Sequence, residues 1–155
     1  MDTSSILWGT VTLTVCLVPL LLLGKQIKKA SRKLLIPILE EAKNNNGVIS
    51  VHEMISDVCF ALDEKQNTLY YYRSTKEIEE LKSFNLNEVE NCKIEIIRKS
   101  ENRKSNAAIV KVFLELHFKT SAIKKLVIFD LQESTQLIPE VLFAEKWNRI
   151  INSKI

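Results

Sequence analysis

Hydrophobic and polar residues alternate along much of the second half of the chain. Cys92, Ile94 and Ile96 are separated by Lys93 and Glu95, a pattern typical of a half-buried antiparallel strand. Similar patterns predict strands within 48–51, 58–62, 68–73, 107–119 and 124–131, separated by polar turns. The stretch 74–81 fits a helix, a loop or a hairpin tip, and 82–86 is a possible strand.

Near the C-terminus the period changes to that of a helix. One apolar stripe, widened by Phe143 and Ile150, contains Leu137, Val141, Ala144, Trp147 and Ile151. A stripe of this width is typical of an amphipathic helix facing a core, so we predict a helix over 137–153 with Phe143 and Trp147 as its core plug. The predicted fold class is α+β, an antiparallel sheet or partly open barrel closed by this C-terminal helix.

The longest hydrophobic stretch is residues 6–23, which contains no charged side chain. At ~1.5 Å per residue such a helix is about 27 Å long, close to the thickness of a bilayer core. No Lys or Arg precedes it and no small-x-small site follows it, which argues against a cleaved signal peptide. We therefore predict an uncleaved transmembrane anchor over 1–24, in contact with membrane lipid. Its assigned residues are Ile6, Trp8, Leu13, Leu17, Leu20 and Leu23.

Basic residues follow this stretch closely. They are Lys25, Lys28, Lys29, Arg32 and Lys33. The positive-inside rule then predicts a single-pass protein of the inner membrane, with its N-terminus outside and the rest in the cytoplasm. Residues 25–46 are predicted to form a basic amphipathic helix that either lies on anionic lipid or packs on the following domain, residues 47–155.

Charge is distributed unevenly. The net charge of +3 comes entirely from residues 1–46, because residues 47–155 contain equal numbers of basic and acidic side chains. A neutral domain lacks the basic surface that nonspecific nucleic-acid binding requires. We therefore expect no nucleic-acid partner.

Motifs of catalysis and metal binding are missing from the sequence. The segment that begins at His52 and Glu53 fails the zinc pattern H-E-x-x-H, because Ser occupies position 56. The three cysteines have no zinc-site spacing, and the chain has no phosphate-binding loop or nucleophile elbow. We expect no enzyme activity, no metal and no cofactor.

The aromatic run at 70–73 has two interpretations. If Tyr71 faces the core, Tyr70 and Tyr72 point the other way and, with Arg73, could form a partner-binding surface. Alternatively, the two tyrosines pack under the helix at 25–44 or under a loop.

The order of elements resembles the pleckstrin-homology-like fold, and the chain resembles an uncharacterised family of small bacterial single-pass membrane proteins. The residues that carry this resemblance are 61–64, 69–71, 86–92, Phe129, Asp130 and 144–147. The resemblance implies binding of lipid headgroups, peptides or proteins, without catalysis. The chain lacks the dense basic pocket of phosphoinositide-binding members.

The expected function is a membrane-anchored cytoplasmic interaction module that binds a protein partner or self-associates at the inner face of the membrane. The alternative is a peripheral domain that reads anionic lipid through the basic helix at 25–46.

Overall fold

Seven antiparallel strands and two helices make up the computed structural model, which describes residues 33–99, 108–132 and 138–155. Helix α1 covers 33–44 of these residues. It is followed by β1 (Val51–Ile55), β2 (Val58–Asp63), β3 (Thr68–Ser74), β4 (Glu79–Asn85), a short 3₁₀ turn (Leu86–Glu88), β5 (Val89–Arg98), β6 (Ile109–Phe118), β7 (Ile123–Asp130) and α2 (Ile138–Asn152).

The strands form two sheets, each a meander in chain order. Sheet A has the order β1-β2-β3-β4 and sheet B has the order β5-β6-β7. Phe60 lies opposite Tyr71 in sheet A, and Ile94 lies opposite Leu114 in sheet B. Connections of two to four residues join β1 to β2, β2 to β3, β3 to β4 and β6 to β7, so these pairs are local hairpins.

The main core contains the inward faces of both sheets and one side of α2. Trp147 is fully buried, and its ring lies 5.2 Å from the ring of Phe60 and 6.1 Å from that of Phe143. Aromatic rings at these separations pack favourably in tilted arrangements. Phe143 and Trp147, the residues assigned to the core plug, both lie inside this cluster.

A second, smaller core lies on the opposite face of sheet A, beneath α1. Ile38 and Ala42 of the helix pack there with Cys59, Tyr70 and Tyr72. Sheet A is therefore covered on both faces. This explains why every residue of β2 is buried. A strand without a solvent-facing side is also expected to be a nearly continuous apolar run, as β2 is.

Three hairpin turns contain a non-glycine residue in the left-handed region of φ. These residues are Ser56 at 49°, Asn67 at 52° and Ser121 at 63°. Asn46, immediately after α1, has a φ of 55°, and Asn tolerates this conformation better than most residues.

The predicted fold class is wrong as a whole and requires two corrections. No helix within the described ranges is long and apolar enough to cross a membrane. Helix α2 has only 15 residues, and the described part of α1, 33–44, carries four charged side chains. The predicted single antiparallel sheet or barrel is instead a pair of separate sheets.

The predicted single-pass architecture and inner-membrane localisation are corrected by the same finding. The described part of the chain contains no helix that could span a bilayer. The predicted anchor, with Ile6, Trp8, Leu13, Leu17, Leu20 and Leu23, lies outside the described residues.

Candidate functional site

Polar and charged side chains converge at one end of the fold, where they line an open cleft of about 750 Å³. We call it the end cleft. It lies where the β1–β2 turn, the β3–β4 turn and the end of β7 meet. Its lining residues are Ser56, Asp57, Ser74, Thr75, Lys76, Glu77 and Gln132.

The β1–β2 turn forms one wall of the end cleft. The backbone carbonyl of Asp57 accepts a hydrogen bond from the Ser74 N–H at 2.9 Å, which joins this turn to the end of β3. The Asp57 carboxylate lies 3.3 Å from Nε of Arg73, which is only 6% exposed. A buried guanidinium needs such a partner because its desolvation is costly.

The β3–β4 turn forms another wall and is held by Thr75. Its hydroxyl oxygen accepts hydrogen bonds from the N–H groups of Glu77 and Ile78, at 3.3 Å and 3.0 Å. The Thr75 N–H donates to the Ile78 carbonyl at 2.8 Å. Side chain-to-backbone bonds of this kind define a tight turn, so Lys76 and Glu77 are displayed on a braced loop.

The third side of the end cleft is set by the end of β7. Asp130 is 8% exposed, and its carboxylate lies 2.6 Å from Nζ of Lys111 and accepts the Gln132 N–H at 3.1 Å. Burial by itself would raise the pKa of Asp130, but these two contacts and the nearby charge of Arg73 lower it below its ordinary value. Asp130 is therefore ionised and positions Gln132 at the cleft.

Glu140, in the first turn of α2, lies behind the wall formed by Ser56. Its side chain is fully buried, and its Oε1 accepts a hydrogen bond from the Ser56 hydroxyl at 2.8 Å. Its other oxygen, Oε2, is also buried and has no hydrogen-bond partner within the described ranges. Buried carboxyl oxygens are normally paired, so the unpaired Oε2 leaves Glu140 only partly satisfied.

The structure separates the residues assigned to a partner surface. Tyr70 and Tyr72 are 0% and 5% exposed and pack under α1, as the second interpretation of the aromatic run has it. Tyr72 donates a hydrogen bond to Glu79 at 2.6 Å. Arg73 instead contacts Asp57, which is a lining residue of the end cleft.

Most of the residues assigned to a basic surface lie outside the described residues. Lys33 is exposed, whereas Lys25, Lys28, Lys29 and Arg32 lie outside the described residues.

Several residues at or behind the end cleft have no local signal in the sequence, because they come from turns far apart in the chain. Glu140 follows Pro139 in the first turn of the predicted helix, where an acidic residue usually serves only to stabilise the helix terminus. Ser56 and Thr75 lie in short polar stretches typical of ordinary turns. A signal was present only at Asp130, one of the residues that carry the family resemblance.

The described thiols and imidazoles do not form a reactive centre. Burial raises the pKa of both Cys59 and Cys92 to about 12, and a protonated thiol is a poor nucleophile. His117 lies beside Glu115, with 3.4 Å between Nε2 and Oε2. Among residues 33–99, 108–132 and 138–155, no three His, Cys, Asp or Glu side chains are grouped as a metal site would require.

Comparison with protein-family models, curated proteins and solved structures finds no match to this chain. The resemblance to a family of small bacterial membrane proteins therefore stays a prediction. What can be stated is the architecture itself: two antiparallel sheets with a helix on the outer face of sheet A and a second helix in the main core.

Proposed function

We propose that this domain is a binding module and that it binds a segment of a protein partner in the end cleft. The observation that supports this most strongly is the convergence of braced turns around an open, polar cavity of about 750 Å³. Preformed walls lower the entropic cost of binding, because fewer groups must be ordered when the ligand arrives.

Apolar side chains next to the lining residues favour a protein segment over a small polar metabolite. Ile78 follows Glu77 in the β3–β4 turn and is 42% exposed, and Leu131 precedes Gln132 and is 47% exposed. Protein-binding surfaces commonly combine exposed apolar side chains with polar groups that set orientation. The combination at this cleft suits an extended or turn segment with both kinds of side chain.

A random-peptide display library selected on the full-length chain tests the proposal. Selected peptides are expected to shift the backbone amide NMR signals of the end cleft, above all those of Asp57, Thr75 and Gln132. Such localised shifts would tie binding to this cavity.

A matched pair of variants then separates the end cleft from the rest of the surface. Lys76→Trp places a bulky ring at the cleft and is expected to weaken peptide binding about tenfold by steric exclusion. Lys124→Trp makes the same chemical change at an exposed position on β7, outside the cleft lining, and is expected to bind as the wild type does. Failure to select any peptide that shifts the cleft amides, or equal affinity of both variants, would refute the proposal.

A further inference from the structure

Glu140 combines features that an ordinary structural carboxylate lacks. It is fully buried, its only hydrogen bond within the described ranges comes from Ser56, and its Oε2 is unpaired. No Lys, Arg or His of the described residues forms an ion pair with it, whereas the buried Asp130 has Lys111. Its position in the first turn of α2 supplies only the partial positive charge of the helix terminus.

The Glu140 carboxylate lies directly behind the wall of the end cleft. Its hydrogen-bond donor, the Ser56 hydroxyl, belongs to a lining residue, so the carboxylate lies one hydroxyl group behind that lining. A hydroxyl can donate to a carboxylate and accept from a cation at the same time. Ser56 can therefore link Glu140 to a positively charged group in the cleft.

Charge balance at this end of the fold points in the same direction. Acidic side chains exceed basic ones by one within the group formed by Asp57, Glu77, Asp130, Glu140, Arg73, Lys76 and Lys111. Among the charged lining residues, Asp57 and Glu77 would repel a phosphate or carboxylate, and only Lys76 would attract it. A cation would be attracted and would also lower the cost of keeping Glu140 buried.

We infer that the end cleft receives the cationic side chain of a lysine or arginine from the partner segment, with Ser56 and Glu140 as the recognising pair and Asp57 as a second carboxylate. This rests on the proposed function, because it names the chemistry of the partner at the same site. Asp57 already pairs with the buried Arg73, whereas Glu140 has no ion-pair partner among the described residues.

The test uses the peptides selected from the random library on the full-length chain. Selected peptides are expected to share a Lys or Arg, and its replacement by norleucine, which keeps the length of lysine without the charge, is expected to weaken binding about tenfold. The Glu140→Gln variant keeps the size of the side chain and its acceptor for Ser56. In the Glu140→Gln variant, replacing the peptide's Lys or Arg by norleucine is expected to change affinity by less than about twofold, because the carboxylate that would attract the cation is gone.

Glu145→Gln is the matched control, since Glu145 is exposed on the same helix. In Glu145→Gln, the norleucine replacement is expected to weaken peptide binding about tenfold, as in the wild type. A thermal unfolding scan of each variant establishes that the folded chain is being compared.

The outcomes distinguish the two proposals. Selected peptides that occupy the end cleft but contain no shared basic residue would overturn the charge inference and leave the binding function standing. An equal norleucine effect in the wild type and in Glu140→Gln would do the same. If no peptide binds in the cleft, both proposals fail. Should Glu140→Gln not fold, Glu77→Gln at an exposed lining position provides the second measurement, with an expected weakening of about twofold, and no weakening would count against the inference.

Discussion

The side chain of Asn152 pairs with the backbone of Cys92 in both directions. Its Oδ1 accepts the Cys92 N–H at 2.9 Å, and its Nδ2 donates to the Cys92 carbonyl at 2.9 Å. Because β5 is an edge strand of sheet B, these backbone groups have no neighbouring strand on that side. The last residue of α2 therefore substitutes for a strand and fixes the helix to the sheet.

Replacing Asn152 by Ala is expected to lower the free energy of unfolding by about 1–3 kcal/mol. The Cys92 N–H loses its partner, and the Cys92 carbonyl keeps only the longer bond from Asn148 Nδ2 at 3.5 Å. Asn152→Asp keeps an acceptor but loses the donor, so an intermediate loss is expected. Urea unfolding followed by circular dichroism measures both changes. Glu145→Ala, at an exposed position of α2, is the control and should stay within about 0.5 kcal/mol of the wild type. Wild-type stability of Asn152→Ala would contradict the role assigned here.

Asp63 makes stability dependent on pH. It is fully buried, and its carboxylate accepts the backbone N–H groups of Val48, Lys65 and Gln66 at 2.6, 2.8 and 3.0 Å. Burial alone would raise its pKa, but these hydrogen bonds outweigh burial and hold the pKa below its ordinary value. The ionised form is thus favoured by folding.

The sign of the pH effect follows from that lowered pKa. The stabilisation by Asp63 is complete above its unfolded pKa of about 4 and is lost as the pH falls through the folded value. Asp63→Asn is expected to destabilise the chain by about 2 kcal/mol at pH 7 and by progressively less below about pH 4. Urea unfolding at a series of pH values checks this. A difference between the two proteins that is constant from pH 7 to pH 2.5 would show that the charge is irrelevant.

Gly47 is required where the end of α1 approaches sheet A. A Cβ at this position would lie 2.7 Å from Oδ2 of Asp63 and 3.2 Å from both the Ala42 carbonyl oxygen and the Tyr70 hydroxyl. The Asp63 oxygen is held by its bond to Val48, so it cannot move away without cost. Gly47→Ala is expected to lower the unfolding free energy by about 1–3 kcal/mol.

Chemical denaturation of Gly47→Ala provides the measurement. Asn46→Gly is the control, because Asn46 already has a positive φ that glycine adopts without strain. This control should be at least as stable as the wild type. A Gly47→Ala variant that matched the wild type would show that the contact relaxes freely.

The buried thiols should be unreactive in the folded chain. Since burial raises the pKa of Cys59 and Cys92 to about 12, almost no thiolate is present at pH 8. In a Cys16→Ser variant, which leaves only these two cysteines, we expect no rapid reaction with a disulfide reagent such as DTNB. Both thiols should react in about 6 M guanidinium chloride, where burial is lost. Rapid modification before unfolding would mean that one thiol is accessible.

Strand positions could be read from local patterns where one face of a strand meets the core and the other does not. The alternation at Cys92, Ile94 and Ile96 predicts a strand where β5 lies, and the helical stripe around Trp147 predicts a helix close to the bounds of α2. The stretch 74–81 was ambiguous for a physical reason. It contains the tight turn held by Thr75 and the start of β4, an edge strand with mixed polarity.

The sequence by itself determined the periodicities of β5 and α2, the neutrality of residues 47–155 and the lack of a recognised catalytic motif, because each is a property of neighbouring residues or of composition. Only the tertiary structure decided that the strands divide into two sheets and that Tyr70 and Tyr72 are covered by α1. It alone brought Ser56 to Glu140 across 84 positions of the chain. Packing between distant segments leaves no local pattern, which is why the end cleft could be found only in the folded chain.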